Sequence, residues 1–403
     1  MLEAFFKEPE TGSRSSAIRM QIVDCLLRRG NLPIPDVAKE LKYSVPTVTK
    51  YVVEMCGTGL LRDFGKVETR EGRHPNAYGL HAEACYFVGV DIKWFSFHIG
   101  LMDFAGELVE VSEDASFRFE NTPEKLDEVC RRIGEFIAGC GVDARKILHV
   151  NVNISGRVNP YTGSSYSIFN FEERPLAEVI SARIGCRVSI DNDTRAMTYG
   201  EYCGRKRPEG RNMIFVNAGW GIGIGLIIDG ELYCGKSGYA GEFGHMSVYN
   251  NEIMCHCGKK GCLETEASGA ALHRKLLQHV AAGEGSVLSC DVLEGREVTL
   301  YDIVGALGRE DMLCIELIEG VGREMGKQLA NLINIFNPEQ VVIGGTLAGA
   351  GDYLMQPIQT AVRKYSLNLV SGDTRILFST LRDRAGVVGA CLLARRRAFG
   401  RTM

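Results

Sequence analysis

No part of this 403-residue sequence is apolar over the length that a membrane-spanning helix needs. The longest apolar stretch, residues 213–228, is rich in glycine and contains Asn217, which suits buried strands better. The first residues include acids and show no signal-peptide pattern. The 14 cysteines form no paired framework, which argues against a disulfide-stabilised secreted domain and favours a reducing cytoplasm. We therefore expect a cytoplasmic protein with no membrane partner.

A strong charge of one sign is also missing. The net charge of −4 argues by itself against a protein that binds nucleic acid. The charge is uneven, however, because residues 1–80 contain 12 Lys and Arg against 10 Asp and Glu, whereas the rest contains 34 against 40. A mildly basic first segment ahead of an acidic body is compatible with a small DNA-binding domain.

The start of the chain is predicted to form a helix-turn-helix with a wing. Apolar spacing predicts a helix over residues 14–29, and "IPDVAKELK" predicts a second, short one. A third helix follows, with Ser44 as its N-cap and Val48, Val52 and Met55 on its buried face. The segment "LLRDFGKVETREGRHPNAYGL" then predicts two short strands around a charged turn. This order is typical of a domain that places its last helix in the major groove of DNA.

Six side chains are candidate DNA contacts on this interpretation. Hydroxyl and amine groups at the start of the third helix would bond phosphates and base edges, and the charged turn would reach a minor groove. The candidates are Ser44, Thr47, Thr49 and Lys50 on the helix, with Arg73 and His74 at the turn. The alternative is a three-helix packing domain that never touches DNA, since trihelical folds are common.

A cluster of metal-binding residue types lies in "HMSVYNNEIMCHCGKKGCLE". Three cysteines follow a C-x-C-x4-C pattern, and a histidine lies ten residues upstream of the first of them. The candidate ligands are His245, Cys255, Cys257 and Cys262. Three thiolates and one imidazole are a standard tetrahedral set for Zn²⁺, and four protein ligands leave no open position, so we expect a structural ion. The alternative, three unrelated thiols, is disfavoured because the other cysteines are scattered singly.

From about residue 84 onward, predicted strands alternate with helices, which is typical of an α/β fold. The segments "GVDI", "IDNDTRAMTYGE", "GWGIGIGLIIDGELY", "GYAGEFGHM", "CHCGKKGCLETEAS" and "NPEQVVIGGTL" resemble the ROK family of bacterial repressors and sugar kinases. The block "GEFGH…CHCGKKGCLE" is highly specific. A winged domain ahead of such a body is the arrangement of the family's repressor branch.

The resemblance implies a fold and a domain organisation. We expect a winged helix-turn-helix head over residues 1–80 and a two-lobed, actin-like (ribonuclease-H-like) ATPase-fold body. The first α/β lobe would comprise residues 84–195 and 383–403, and the second, with the zinc loop, residues 196–382. Operators with two-fold symmetry then imply a homodimer or homotetramer on DNA.

The resemblance also implies a sugar pocket. The family's kinases have a general base at the position of Asp193. The same resemblance implies that sugar hydroxyls are held by Asn192, Glu242, His245 and Glu264. His245 would bind Zn²⁺ through one ring nitrogen and present the other to the sugar or to a supporting side chain. The alternative is that these polar residues only cap helices and tie loops.

The nucleotide side departs from the family's kinases. Where they have D-x-G-G-T, this chain has Asp91-Ile92-Lys93-Trp94-Phe95, and where they have G-T-G-x-G it has Trp220 in place of Thr. The two tryptophans of the chain thus both fall at expected phosphate loops, where their indoles would take space that a triphosphate needs. Asp193 would then be a vestigial base, and no catalytic residue is expected.

Together, these expectations describe a transcriptional repressor. A sugar or sugar phosphate bound in a former kinase cleft would change the affinity for operator DNA. The first alternative is an active sugar kinase that carries a DNA-binding head, and sugar-dependent ATP hydrolysis separates the two. The second is a repressor controlled by a protein partner, with a vestigial sugar pocket.

Overall fold

The structure is a computed structural model that describes residues 14–66, 75–204 and 210–399. These residues form two compact units. The first unit contains residues 14–66, 75–193 and 387–399, and the second contains residues 194–204 and 210–386. In the part of the chain so described, no helix combines the length and the apolar character needed to cross a membrane.

The helices are numbered here in chain order, apart from short 3-10 turns. They are α1 Arg14–Arg29, α2 Ile34–Leu41, α3 Val45–Gly57, α4 Pro123–Gly139, α5 Leu176–Ile184, α6 Asp193–Cys203, α7 Glu264–Ala267, α8 Gly269–Ala281, α9 Ser289–Leu293, α10 Leu300–Leu307, α11 Met312–Phe336, α12 Asp352–Tyr365, α13 Asn368–Asp373 and α14 Ala385–Ala398. The strands are β1 Leu32–Pro33, β2 Leu61–Lys66, β3 Asn76–Leu80, β4 Tyr86–Ile92, β5 Phe97–Asp103, β6 Leu108–Asp114, β7 Ile147–Ile154, β8 Val158–Asn159, β9 Ser164–Ser165, β10 Val188–Asn192, β11 Met213–Ala218, β12 Ile222–Ile228, β13 Glu231–Tyr233, β14 Gln340–Gly344 and β15 Arg375–Phe378.

Helices α1 to α3 and the antiparallel sheet β1-β3-β2 form the start of the first unit. The hydroxyl of Ser44 accepts a hydrogen bond from the amide of Thr47 at 3.3 Å, so the predicted N-cap of α3 is confirmed. Val48, Val52 and Met55 on its inner face are each at most 1% exposed, as the helical spacing predicts. The periodicity of this segment therefore places the opposite face of α3 toward solvent.

Each unit contains a five-stranded sheet, and the two sheets have the same strand order. The first sheet has the order β10-β7-β4-β5-β6, and the second has the order β13-β12-β11-β14-β15. In both, three consecutive strands form an antiparallel meander, and two later strands add in parallel beside its first strand. This repeated sheet confirms the expected mixed α/β fold of actin-like, sugar-kinase type.

The head shares a hydrophobic core with the first sheet. The apolar residues of α1 to α3 form one buried cluster with Phe87 of β4, Phe104 after β5 and Ala394 of α14. Phe399 completes the contact, because its ring lies 5.8 Å from the rings of both Phe87 and Phe104. A common core of this kind holds the head and the first sheet together as one packed body.

Candidate functional site

The four predicted metal ligands come together in the second unit. The ligating atoms of His245, Cys255, Cys257 and Cys262 lie within 4.8 Å of one another. The sulfur atoms of Cys257 and Cys262 are 3.7 Å apart, and Nδ1 of His245 is 3.6 Å from the sulfur of Cys255. A tetrahedral zinc ion, with bonds of about 2.3 Å to sulfur and about 2.0 Å to nitrogen, separates such pairs by about 3.8 Å and about 3.5 Å. The donor set and its spacing therefore fit a closed, structural Zn²⁺ site.

Two glycines allow the chain to bring the three thiols together. Gly258 and Gly261 have φ of 81° and 77°, a left-handed conformation that other residues rarely adopt. A Cβ at Gly261 would lie 2.3 Å from the carbonyl oxygen of Tyr249, so the close approach of these two backbone segments also requires glycine at this position. The turn is fixed by backbone hydrogen bonds from Cys255 to Lys259 and from Gly258 to Cys255.

Two predicted sugar ligands lie on a 3-10 turn beside this metal cluster. Glu242 immediately precedes the turn Phe243–His245, and Nε2 of His245 lies 3.7 Å from its carboxylate. Nδ1 of His245 faces Cys255, so one ring nitrogen points to the metal ligands and the other points away from them. This is the arrangement that a dual role for His245 requires.

Glu264 begins α7 two residues after Cys262, and its side chain is 12% exposed. One carboxylate oxygen accepts a hydrogen bond from the amide of Ile222 at 3.2 Å, and the other lies 2.7 Å from Nδ1 of His256. Burial acts to raise the pKa of Glu264, but the contact with His256 and the amide of Ile222 outweigh it, so the pKa is lowered. Sequence reasoning missed His256, although an imidazole between two cysteines was a visible signal.

The other two predicted sugar ligands belong to the first unit. Asn192 ends β10, and its amide group donates to the carbonyl oxygen of Gly156 at 3.0 Å. Asp193 begins α6, and its carboxylate accepts a hydrogen bond from the hydroxyl of Ser155 at 2.7 Å. Asn192 and Asp193 thus lie side by side at a strand end, whereas Glu242, His245 and Glu264 lie in the second unit. Ser155 was not among the residues predicted to belong to the site.

The first expected phosphate loop is held by a buried carboxylate. Asp91 is 0% exposed, and one of its oxygens accepts a hydrogen bond from the amide of Asn153 at 3.2 Å. Its other oxygen lies 3.7 Å from the ammonium group of Lys93. Trp94 is 43% exposed and stands edge-on to Phe119 at 5.2 Å, so its indole lies on the surface of the first unit rather than in its interior.

The second expected phosphate loop is tied to the start of α8. The amides of Gly269 and Ala270 donate to the carbonyl oxygens of Gly219 and Trp220, each at 2.9 Å. The third amide of the helix donates to the side chain of its N-cap, Ser268, at 3.1 Å. The amides at a helix start are the groups that commonly bind phosphate. Here the first three amides of α8 already donate to oxygens of the protein itself.

The predicted DNA contacts at the start of α3 differ in how their polar groups are used. The hydroxyls of Ser44 and Thr47 lie 2.7 Å apart, and that of Thr49 donates to the carbonyl oxygen of Val45 at 2.8 Å. Lys50 is exposed, with its ammonium group 5.5 Å from the ring centre of Tyr51. Lys50 therefore presents its charge at the protein surface.

The remaining two DNA candidates, Arg73 and His74, lie outside the described residues. The strands on either side of them, β2 and β3, pair antiparallel with an irregularity between Asp63 and Lys66. The two strands predicted around the charged turn are thus present.

Comparisons with known proteins match both parts of this organisation. The sequence profile described as the ROK family matches residues 87–397. A putative xylose repressor from Caldicellulosiruptor sp. (strain Rt8B.4) is 28% identical over 374 residues, which cover 92% of this chain and 93% of that protein. The crystal structure of a ROK family transcriptional regulator, a homologue of the E. coli MLC protein, has 25% identity and a TM-score of 0.80 over 96% of this chain and 97% of its own.

A kinase structure is similar over a smaller part of the chain. The ROK family glucokinase from Streptomyces griseus, solved with glucose and AMPPNP, is 28% identical with a TM-score of 0.67. The match covers 77% of this chain but 99% of the glucokinase chain. Roughly a quarter of this chain therefore has no counterpart in the glucokinase.

Proposed function

Because this chain belongs to the ROK family, we propose that it is a DNA-binding transcriptional repressor that senses a sugar or sugar phosphate and transfers no phosphoryl group. The observation that carries the proposal is the extent of similarity. The regulator structure covers 96% of this chain, including the head, whereas the glucokinase covers 77%. The ROK profile begins only at residue 87, after the three helices and the small antiparallel sheet of the head.

The head supports DNA binding through α3. Its start is capped by Ser44, its inner face is apolar, and Lys50 is exposed on the outside. A winged helix-turn-helix places such a helix in the major groove, where hydroxyl and ammonium groups bond phosphates and base edges. Binding to a two-fold symmetric operator would use two such heads, which supports a homodimer or homotetramer.

The loops of the body argue against phosphoryl transfer. This reaction depends on positioning and charge stabilisation of phosphates, mostly by backbone amides, Mg²⁺ and cationic side chains. In this chain the amides at the start of α8 donate to Gly219, Trp220 and Ser268. The buried carboxylate of Asp91 already has Asn153 and Lys93 as partners. The first three amides of α8 are therefore already engaged by oxygens of the protein itself, which argues against phosphate binding at this helix start.

The polar residues retained from the kinase pattern support sugar recognition. Carboxylate and amide groups suit polyols because each oxygen accepts two hydrogen bonds. Glu242, His245 and Glu264 in the second unit, and Asn192 and Asp193 in the first, are the proposed contacts. A Zn²⁺ ion held by the Cys3His set would fix the loop that carries His245 and leads into Glu264. Its role is structural, because the four ligands close its coordination sphere.

The shared core of the head and the first sheet suggests how ligand binding affects DNA. A change in the packing of β4, β5 or α14 would move α3 with it, because Phe87, Phe104 and Ala394 contact the head. Such coupling requires a ligand that binds more tightly to one of two arrangements.

Selection from a random double-stranded DNA library tests the proposal. We expect the full-length protein to enrich one motif with two-fold symmetry. A library that stays unenriched after several rounds, at a salt concentration where non-specific binding is weak, would contradict sequence-specific DNA binding.

Substituting Lys50 with alanine should weaken binding to the selected DNA by roughly three- to tenfold and reduce the slope of log affinity against log salt by about one unit. The reason is the loss of one exposed cation that meets a phosphate. Lys364→Ala is a matched control, because Lys364 also lies over the tyrosine that follows it, at 5.3 Å, at the exposed end of α12 in the second unit. Equal affinity and equal slope in Lys50→Ala and in the control would show that Lys50 does not face DNA.

A further inference from the structure

We propose that His256 is a positioning residue for sugar recognition, because its imidazole holds the Glu264 carboxylate in the orientation in which it accepts ligand hydroxyls. This inference rests on the proposed function, since Glu264 is one of the residues proposed to contact the sugar. His256 lies between Cys255 and Cys257 in the chain, but the Cys3His set already supplies four ligands without it.

The carboxylate of Glu264 has one donor at each oxygen. Ile222 donates its amide to Oε2 at 3.2 Å, and Nδ1 of His256 lies 2.7 Å from Oε1. The sulfur of Cys255 is 3.7 Å from Oε1, and with Zn²⁺ bound it would be a thiolate without a proton to donate. Each carboxylate oxygen accepts two hydrogen bonds, so one position on each oxygen is left for a ligand hydroxyl.

One donor alone does not orient a carboxylate. The last side-chain torsion of glutamate has a broad distribution of angles. A single hydrogen bond from Ile222 therefore leaves the plane of the carboxylate able to rotate. The backbone packs closely against Oε2, since a Cβ at Gly221 would lie 2.8 Å from it. His256 is the side chain that fixes the other oxygen. The remaining acceptor positions therefore point in directions set by His256.

His256 is also placed beside the other proposed sugar ligand of this loop. Its ring packs edge-on against His245, with the ring centres 5.1 Å apart. The side chain of His256 is 72% exposed, whereas that of Glu264 is 12% exposed. A largely exposed imidazole thus contacts one oxygen of a nearly buried carboxylate, and pre-orientation of this kind lowers the ordering cost of binding.

Three variants separate positioning from general stability. His256→Ala removes the donor to Glu264, and His256→Asn keeps an N–H donor near the place of Nδ1. His279→Ala is the matched control, because Nδ1 of His279 makes the same 2.7 Å contact with a carboxylate, that of Glu284, away from the metal ligands. All three should retain one zinc ion per chain and the melting temperature of the wild type within about 2 °C.

Hydrogen exchange at the amide of Ile222 tests the positioning without any sugar. We expect exchange about tenfold faster in His256→Ala, because a rotating carboxylate no longer protects this amide, and wild-type rates in His256→Asn and His279→Ala. Unchanged exchange in His256→Ala would overturn the proposal. Loss of zinc in His256→Ala would also overturn it, since His256 would then be a metal ligand.

Calorimetric titration with D-xylose, D-glucose, N-acetyl-D-glucosamine and their phosphates tests the consequence for binding. For a sugar that binds the wild type, His256→Ala should weaken binding about tenfold, as expected for the loss of one strong hydrogen bond, and His256→Asn less than about threefold. Equal affinity in all variants would overturn the proposal. If none of these sugars binds the wild type, the proposed sugar sensing fails, while exchange at Ile222 still decides whether His256 positions Glu264.

Discussion

Replacing Cys257 with serine is expected to abolish stoichiometric zinc binding and to lower the free energy of unfolding by at least about 3 kcal/mol. Cys257 supplies one of four ligating atoms that lie within 4.8 Å of one another, and its sulfur is 3.7 Å from that of Cys262. Without the ion the thiols no longer hold the turn together, and the loop that links His245 to Glu264 loses its fixed shape. Metal analysis and thermal unfolding measure the two effects.

A matched control for this variant is Cys290→Ser. Cys290 is an exposed thiol of the same unit and is not part of the metal cluster, so zinc content and stability should remain unchanged. Residual DNA binding of Cys257→Ser at low temperature should persist, because the head shares its core with the first sheet, whereas the zinc loop belongs to the second unit. A structural zinc site would be contradicted if the purified native protein contained no zinc, or if Cys257→Ser and Cys290→Ser were equally stable.

The wild-type protein is expected neither to bind ATP with useful affinity nor to release ADP when a sugar is added. The amides at the start of α8 donate to the protein's own oxygens, and Asp91 has Lys93 as its cation. Compared with a working kinase, the loss of backbone donors at phosphate costs several powers of ten in rate. Trp94→Gly alone should not restore activity, because the loop that carries Trp220 is unchanged.

Calorimetric titration with ATP and Mg²⁺ measures the affinity for ATP, and a coupled assay with the same sugars measures the release of ADP. A glucokinase of the family, such as the one from Streptomyces griseus, serves as the positive control. Micromolar affinity for ATP, or sugar-dependent ADP release by this protein, would contradict the repressor proposal in its present form and favour a kinase with a DNA-binding head.

Features set by neighbouring residues along the chain were predictable from the sequence. The cap of α3 and its buried face follow from helical spacing, and these residues lie where that spacing places them. The metal ligands also converge as their spacing implies, because a C-x-C-x4-C turn with two glycines has few ways to fold. The sequence could not say which ring nitrogen of His245 faces the metal ligands, since that depends on the 3-10 turn that carries it.

Contacts that depend on strand register were not predictable. Asp91 and Asn153 lie opposite each other on β4 and β7, so their hydrogen bond exists only because of that pairing. The same holds for Ser189 and Asn151, which face each other on β10 and β7 and share a 2.7 Å hydrogen bond. A period-two pattern assigns a side chain to one face of a sheet but not to a partner.

The exposure of Trp94 was unpredictable for a related reason. The sequence places this residue at an expected phosphate loop, but its packing depends on the position of Phe119. The shared core of the head and the first sheet depends likewise on Phe399, near the far end of the chain.

The measurement that tests the central claim most directly is the affinity for the selected DNA with and without sugar. Fluorescence anisotropy at fixed salt would follow the binding of the full-length protein to that DNA while each sugar and sugar phosphate is added. We expect one of them to change the affinity by at least about tenfold, a coupling of roughly 1.4 kcal/mol, and ATP to change nothing. DNA affinity that no sugar alters, or that shows no preference for the selected sequence over random DNA, would contradict a sugar-sensing repressor.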